Sequence, residues 1–270
     1  MKEQLDTTVC IPVRIDSPER LRNLEISIRY FRRYFNLHIH ILEGDSAKNA
    51  GLMQLLATDT DIAYTFIPDS DPIFHRTRYL NIMIKYSKTK TVVLQDTDII
   101  VPPTQLISAV KLAKNNFCLV SPYAVYGFWN LENYSLMKEF STTQDISALS
   151  VEPTDFVIAE SSTSPAYGGS VIVNREQYYA AGLENEYCRG WGYEDRERVD
   201  RILRLGYPFA KLAGHIYHLP HPRGINSGGQ HPFYARTEQE WLKIRQYTYS
   251  ELKNYIMSWE WTHDNPFTRR

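Results

Sequence analysis

The feature that most limits what this chain can fold into is the alternation, through its first half, of short β-rich runs with helical stretches. Val9–Val13 reads as a strand. Ser17-Pro18 follows with an N-cap residue and a proline at the first helical position. Leu21, Leu24, Ile28, Phe31 and Phe35 then recur at spacings of three and four, which makes one helical stripe. His38–Leu42 and Ile62–Ile67 read as further strands, Arg76–Ser87 as a helix, Thr91–Gln95 as a strand and Thr104–Lys114 as a helix. Phe117–Ser121 closes the series. Strands separated by helices in this way form βαβ units, so the expected fold is α/β with a mainly parallel central sheet flanked by helices. Ligands of such sheets bind beyond the carboxyl ends of the strands. The polar clusters fall there: Arg14 and Asp16, Glu43 and Asp45, Asp69 and Asp71, Asp96 and Asp98.

The second half is less regular. Ala166-Tyr167-Gly168-Gly169 leads into the apolar run Ser170–Val173, Glu194–Leu205 reads as a helix, and a strand near Phe209–Ala213 precedes a histidine-rich loop. Leu242, Tyr249, Leu252, Ile256 and Trp259 mark one long amphipathic C-terminal helix. Core docking, a partner subunit in a homodimer, or peripheral contact with a membrane surface are the expected uses of that stripe. Asp155–Tyr167 and Ser227–Phe233 lack periodicity and read as loops able to close over a ligand.

Composition excludes some classes. A formal net charge of -1 gives no reason to expect a nucleic-acid partner. Cys10, Cys118 and Cys188 are far apart and suit a reducing compartment. The polar start MKEQLDTT resembles neither a signal peptide nor an anchor, and no run reaches the roughly 18–20 apolar residues of a transmembrane segment. The expected location is cytoplasmic.

Asp-x-Asp occurs three times, as Asp59/Asp61, Asp69/Asp71 and Asp96/Asp98. The last directly follows an apolar strand, which puts two carboxylates at the mouth of the sheet. Hard oxygen ligands there suit Mn²⁺ or Mg²⁺. The bland alternative is that the pair caps a turn ahead of Pro102-Pro103. His215, His218 and His221 supply candidate nitrogen ligands, His218 first because it ends the apolar run Ile216-Tyr217. At least one of the three is expected to be structural. A zinc hydrolase would more often carry H-E-x-x-H, which does not occur here. In Arg189-Gly190-Trp191-Gly192-Tyr193-Glu194-Asp195, two glycines allow a tight turn around a tryptophan suited to a sugar face, and two acids then open a helix. The helix end favours ionised carboxylates, so Glu194 and Asp195 are candidate proton acceptors.

These pieces stand in the order found in the β-1,4-galactosyltransferase group and its bacterial relatives in polysaccharide synthesis, which adopt the GT-A fold. Ile11-Pro12-Val13-Arg14 resembles the nucleotide-contacting Pro-Phe-Arg strand. Phe74–Asn81 resembles the family's Phe-Asn-Arg-Ala-Lys-Leu-Leu-Asn segment, and by position Arg76 meets the donor. Asp96-Thr97-Asp98 matches the Asp-x-Asp strand, with Asp98 as the direct metal ligand. Tyr167-Gly168-Gly169 resembles Phe-Gly-Gly, and Trp191–Arg196 resembles Trp-Gly-Gly-Glu-Asp-Asp, whose first aspartate is the catalytic base, here Asp195. His215-x-x-His218 fits the family's Met-x-x-His spacing. Tyr193 and Arg196 depart from the pattern.

The resemblance implies a GT-A domain over residues 1–235, with a nucleotide-binding half 1–121, a catalytic half 122–235, and a C-terminal amphipathic helix over 236–270. It implies an inverting transfer of a hexose, galactose or N-acetylgalactosamine first, from a UDP-sugar donor to a glycan acceptor. Mn²⁺ (or Mg²⁺) is held by Asp98 and a histidine of the 215–221 loop. The same resemblance puts Pro12, Arg14, Asp16, Glu43, Arg76, Asp96, Gly169 and Trp191 around the donor, with Asp195 and Glu194 catalytic. A sugar nucleotidyltransferase would need a glycine-rich loop after the first strand, and Pro12–Ser17 has none. A catalytically weak sugar-binding protein of the same fold is the other alternative.

Overall fold

The computed structural model describes residues 2–131, 134–149, 156–158, 166–228, 231–264 and 266–267. Strand β1 (Glu3–Val13) lies centrally in a seven-stranded sheet and is buried without a break from Thr7 to Val13, as a strand covered on both faces must be. Its parallel neighbours are β2 (Phe35–Asp45) and β4 (Thr91–Gln95), and β3 (Ile62–Pro68) extends the sheet beyond β2. On the other side of β4, β9 (Ser170–Asn174) runs antiparallel and is followed by β6 (Leu119–Ser121) and β10 (Phe209–Lys211). The order β10-β6-β9-β4-β1-β2-β3 is the mainly parallel sheet expected from the sequence.

Helix α1 (Pro18–Tyr34) begins as its residues dictate. Ser17 Oγ accepts from the Arg20 N–H at 3.2 Å and Pro18 sits in the first turn. Its end corrects the sequence reading. Phe35, the last member of the helical stripe, is already extended (φ -129°, ψ 150°) and starts β2. The first two strands are also longer than Val9–Val13 and His38–Leu42, because polar residues at their starts pair with each other: Asn36 Nδ2 donates to Gln4 Oε1 at 2.5 Å. A short helix, α2 (Ala50–Leu56), follows β2, too brief to show a period in sequence. Helices α3 (Arg76–Tyr86) and α4 (Pro103–Asn115) fall where expected. Helices α5 (Tyr134–Thr143) and α6 (Arg175–Ala180) complete the cover.

A second, smaller sheet has the order β5-β11-β7-β8, with β5 at Ile99–Ile100, β7 at Phe128–Leu131, β8 at Phe156–Ile158 and β11 at Ile216–His218. Within Asp155–Tyr167 only β8 and residues 166–167 belong to the described residues, and residues 229–230 of the Ser227–Phe233 segment also lie outside them.

Helix α7 (Glu194–Arg204) packs Val199 and Ile202 into the core and is anchored by charge as well. Arg198 and Arg201 are fully buried. Arg198 grips both oxygens of Glu184 at 2.9 Å, and Arg201 Nε donates to Glu197 at 2.8 Å. Such pairs tolerate burial because every charge has a bonded partner.

The C-terminal segment is two helices instead of one. Helix α8 (Tyr234–Gln246) stops at Tyr247, whose ψ of 142° leaves the helical region, and Thr248 with Glu251 forms a capping box that starts α9 (Tyr249–Met257). Leu252, Ile256 and Trp259 are buried against Leu205 and Trp261, so the stripe faces the chain's own body, while Leu242 and Tyr249 are exposed. No helix among the described residues is long and apolar enough to cross a membrane.

Replacing Glu184 with alanine leaves Arg198 buried with one carboxylate fewer. A loss of about 3–5 kcal/mol in unfolding free energy is expected, read as a shift in denaturant midpoint. A midpoint within error of the parent would show that the pair does not anchor α7.

Candidate active site

A cleft of about 710 Å³ opens at the carboxyl ends of β1 and β4. Two backbone ladders build its floor. Where β11 runs antiparallel to β5, His218 pairs with Ile99, and the Leu219 N–H donates to the Asp98 carbonyl at 2.7 Å. Where β11 runs parallel to β7, His218 pairs with Asn130. Asp98, His218 and Asn130 are therefore neighbours by strand register.

Each imidazole is oriented by its own second partner. His218 Nδ1–H donates to Asn130 Oδ1 at 2.8 Å and His221 Nδ1–H to the Pro222 carbonyl at 2.8 Å. That leaves both Nε2 atoms facing Asp98, at 3.7 Å for His218 and 3.1 Å for His221. The ligand atoms of Asp98, His218 and His221 lie within 4.8 Å of one another. One carboxylate and two imidazoles with fixed outer partners form a donor set for a divalent cation such as Mn²⁺. The electrostatics agree. Burial alone would raise the Asp98 carboxyl, but the facing His218, His221 and Arg20 outweigh it and hold it well below the usual range. Burial pushes the His218 imidazole down to about 4, so it is neutral and free to ligate at neutral pH.

His215 is the exception among the three histidines expected near a metal. Its ring stacks on Trp129, with centroids 3.6 Å apart, and it is not in the cluster. It precedes β11, so the ladder that aims His218 leaves it outside. Glu43 is likewise absent from the cleft lining. Its oxygens are taken by the Tyr64 hydroxyl at 2.5 Å and the Asn49 N–H at 2.8 Å, which fastens the start of α2.

The remaining candidates line the cleft: Pro12, Arg14, Asp16, Arg76, Asp96, Gly169, Trp191, Glu194 and Asp195. Arg14 lines it while spending its guanidinium on the Gly44 and Asp71 carbonyls, each at 2.7 Å. Arg76 pairs with Asp96 at 2.8 Å and keeps Nη1 buried without a partner. Burial raises the Asp96 carboxyl, partly offset by Arg76. Gly169 holds φ +80°, and its carbonyl accepts from the Asp96 N–H at 2.8 Å, tying the two loops together. Trp191 stacks on Tyr234, with centroids 5.8 Å apart.

Asp195 stands in the first turn of α7 across the cleft. Arg198 donates to its Oδ1 at 2.8 Å. Its Oδ2 lies so close to Gly168 that a side chain there would collide with it. Asp195 acts electrostatically on both Arg76 and Asp96, so the two acidic segments share one site. Glu194 beside it is buried, with Oε2 unpartnered. Burial first, and then the charge of Asp195, push its carboxyl up to about 8.

Several lining residues carried no signal in sequence. Arg20 reads as the polar face of α1, yet it bonds Asp16 at 2.8 Å and approaches Asp98 at 3.7 Å. Asn130 and Tyr234 could be placed only by strand register and by the packing of α8.

No curated protein matches the chain in sequence. A family profile described as the N-terminal domain of galactosyltransferase matches residues 157–222, less than half of the chain, and this stretch carries Trp191, Asp195, His218 and His221. Among solved structures, a mannosyltransferase from Pyrobaculum calidifontis in complex with GDP-Man and Mn²⁺ superposes with a TM-score of 0.52 at 16% identity, over 94% of this chain and 74% of that one. GalNAc-T7, solved with UDP, GalNAc and Mn²⁺, gives 0.57 at 14% identity over 93% of this chain and 50% of its own length. The fold is that of the GT-A glycosyltransferases, and the profile match supports a glycosyltransferase.

The Glu194 carboxyl sets a pH dependence. Between about pH 5 and 8 the folded protein retains a proton that the unfolded chain has released, so this residue makes stability fall as pH rises through that window. Glu194→Gln is expected to flatten the slope of unfolding free energy across it, measured by denaturant titration at several pH values. An unchanged slope would contradict a protonated Glu194.

Proposed function

We propose that this protein is a metal-dependent, inverting glycosyltransferase that moves a hexose from a nucleotide diphosphate donor to a hydroxyl of a glycan acceptor. The observation that carries the reading is the convergence of the Asp98–His218–His221 cluster and Asp195 on one cleft. Support for the donor class comes from the two neighbours, whose structures hold Mn²⁺ with GDP-Man or UDP. The profile match favours a UDP-hexose, with galactose or N-acetylgalactosamine first. The bacterial relatives that the sequence resembles suggest a role in polysaccharide synthesis.

Asp98, His218 and His221 would hold the cation, and their fixed tautomers and ionised carboxylate fit that task. When bound, a divalent cation neutralises the donor diphosphate and improves the nucleotide as a leaving group. Arg76 offers its unpartnered buried Nη1 to a donor oxygen, while Asp96 holds the other edge of the guanidinium in place. Arg223 lines the cleft beside the histidines and presents a second cation to phosphate. Trp191, exposed at 36% and backed by Tyr234, gives a flat face for a sugar ring.

Asp195 is the base. Arg198 occupies Oδ1, which leaves Oδ2 to take the proton from the acceptor hydroxyl as that oxygen attacks the anomeric carbon. The C–O bond to the diphosphate breaks in the same displacement, so configuration inverts. Glu194, protonated at neutral pH, is a hydrogen-bond donor toward the incoming acceptor.

Asp195→Asn should lower transfer by about 10²- to 10⁴-fold while Mn²⁺-dependent UDP binding persists. The check is a UDP-release assay over a panel of donors, paired with calorimetry, and full turnover in this variant would remove Asp195 as the base. Asp98→Ala should weaken UDP binding only when Mn²⁺ is present. Equal UDP affinity with and without the metal in the parent protein would overturn the metal site. A protein that binds nucleotide sugar and releases no UDP with any acceptor would instead be the catalytically weak binding protein.

A further inference from the structure

Five arginines line the cleft, and their partners separate them. Arg14 is spent on backbone carbonyls, Arg20 on Asp16 and Asp98, and Arg76 pairs with Asp96 and keeps Nη1 for the donor. Arg223 stands at the histidine end, within electrostatic range of His218. Like Arg223, Arg196 has no carboxylate within ion-pair distance among the described residues, but it alone of the five lies over the aromatic faces of Tyr193, at 5.4 Å, and Trp241, at 6.0 Å.

Those faces belong to a continuous wall. Trp191 stacks on Tyr234, Tyr234 meets Tyr193 at 5.2 Å, and Tyr193 stacks on Trp241 at 5.0 Å. The wall is rigid because its members are tied to the backbone and to acids other than those of the cleft. The Tyr193 N–H donates to Thr237 Oγ1 at 3.0 Å, and Trp241 Nε1 donates to Asp200 at 2.7 Å. A guanidinium stacked on an aromatic ring is held in a plane while its N–H edge stays free for a planar oxyanion. Arg196 follows Asp195 in α7 and lines the same cleft, and the Asp195 side is where the proposed function seats the acceptor.

We infer that Arg196 recognises a negatively charged group on the acceptor, a carboxylate or a phosphate close to the hydroxyl that receives the sugar. The inference rests on the glycosyltransferase reading for the word acceptor, and on Arg196 and its wall for the charge. An unpaired cation beside a cleft rich in acids would otherwise be an expensive way to line a neutral-sugar site. Neutral sugars take their hydrogen bonds from hydroxyls and amides, whereas a fork of guanidinium donors matches carboxylate or phosphate.

The test uses the full chain loaded with Mn²⁺ and UDP, titrated by ligand-observed NMR with methyl glucuronide, a sugar phosphate and neutral methyl glucoside. Anionic sugars are expected to bind roughly 10- to 100-fold more tightly than the neutral one, the range of charge-assisted hydrogen bonds. Whether carboxylate or phosphate leads identifies the source of the charge. Arg196→Gln is expected to bring the anionic sugars down to the neutral level. Arg196→Lys, which keeps the charge and loses the fork, should retain only part of the preference, and it serves if the glutamine variant fails to fold. Equal binding of charged and neutral sugars, binding of none, or a preference that survives in both variants would overturn the assignment. UDP titration before any sugar is added reads the underlying function separately. Failure there sinks the glycosyltransferase reading, while the anion preference at Arg196 can still be read in the same protein without metal.

Discussion

The site depends on a two-residue backbone ladder. Strand β11 is only three residues long, yet its antiparallel pairing with β5 sets His218 against Ile99 and fixes Leu219 to the Asp98 carbonyl. Its parallel pairing with β7 delivers Asn130 to the other side of the same imidazole. A slip of one residue would turn His218 to the opposite face and present Tyr217 in its place. Helix α1 holds the arrangement from behind. Ser27 Oγ donates to the Thr97 carbonyl at 2.9 Å, and Asn23 Nδ2 to the Pro220 carbonyl at 3.2 Å.

The opposite wall is held by a different force. Helix α7 carries Asp195 into the cleft and is fastened by Arg198 and Arg201 to buried acids and to the Ala181 and Leu183 carbonyls. Burying two guanidinium groups costs desolvation energy that only full hydrogen bonding offsets. What is gained is direction, since Arg198 bonds Glu184 and Asp195 at once and so couples the position of Asp195 to the core. Gly168 completes the coupling by leaving room for Oδ2. The two walls solve the same problem, holding carboxylates of like charge close together, by opposite means: imidazoles and arginine around Asp98, and burial with a retained proton at Glu194.

Much of this was legible in the sequence wherever a short-range pattern carries it. The strand–helix alternation, the Ser17 cap and the strand ahead of Asp96 and Asp98 all depend on neighbours within a few positions, and the structure has them. The choice among His215, His218 and His221 does not depend on neighbours. It is made by strand register and by which oxygen each Nδ1 meets, neither of which is written in the spacing. Glu43 shows the related limit. Its place at a strand end was readable, but which way the carboxylate turned was decided by Tyr64 and Asn49. Arg20 was hidden because an arginine on a helix ordinarily reads as a solvated face, and Arg196 stood out only as a departure from the family pattern, since tertiary packing alone shows which arginines border a cleft. The break in the C-terminal helix was written locally, in Thr248 and Glu251, beneath an apolar stripe that runs across it.

The central claim is that Asp98, His218 and His221 seat a divalent cation on the same cleft that Asp195 faces. Anomalous diffraction from crystals grown with Mn²⁺ and UDP tests it most directly. The account predicts one manganese peak bonded to those three side chains, with the UDP diphosphate on it and Asp195 across the cleft. A manganese peak elsewhere, or UDP bound in the cleft with no metal between it and Asp98, would contradict it.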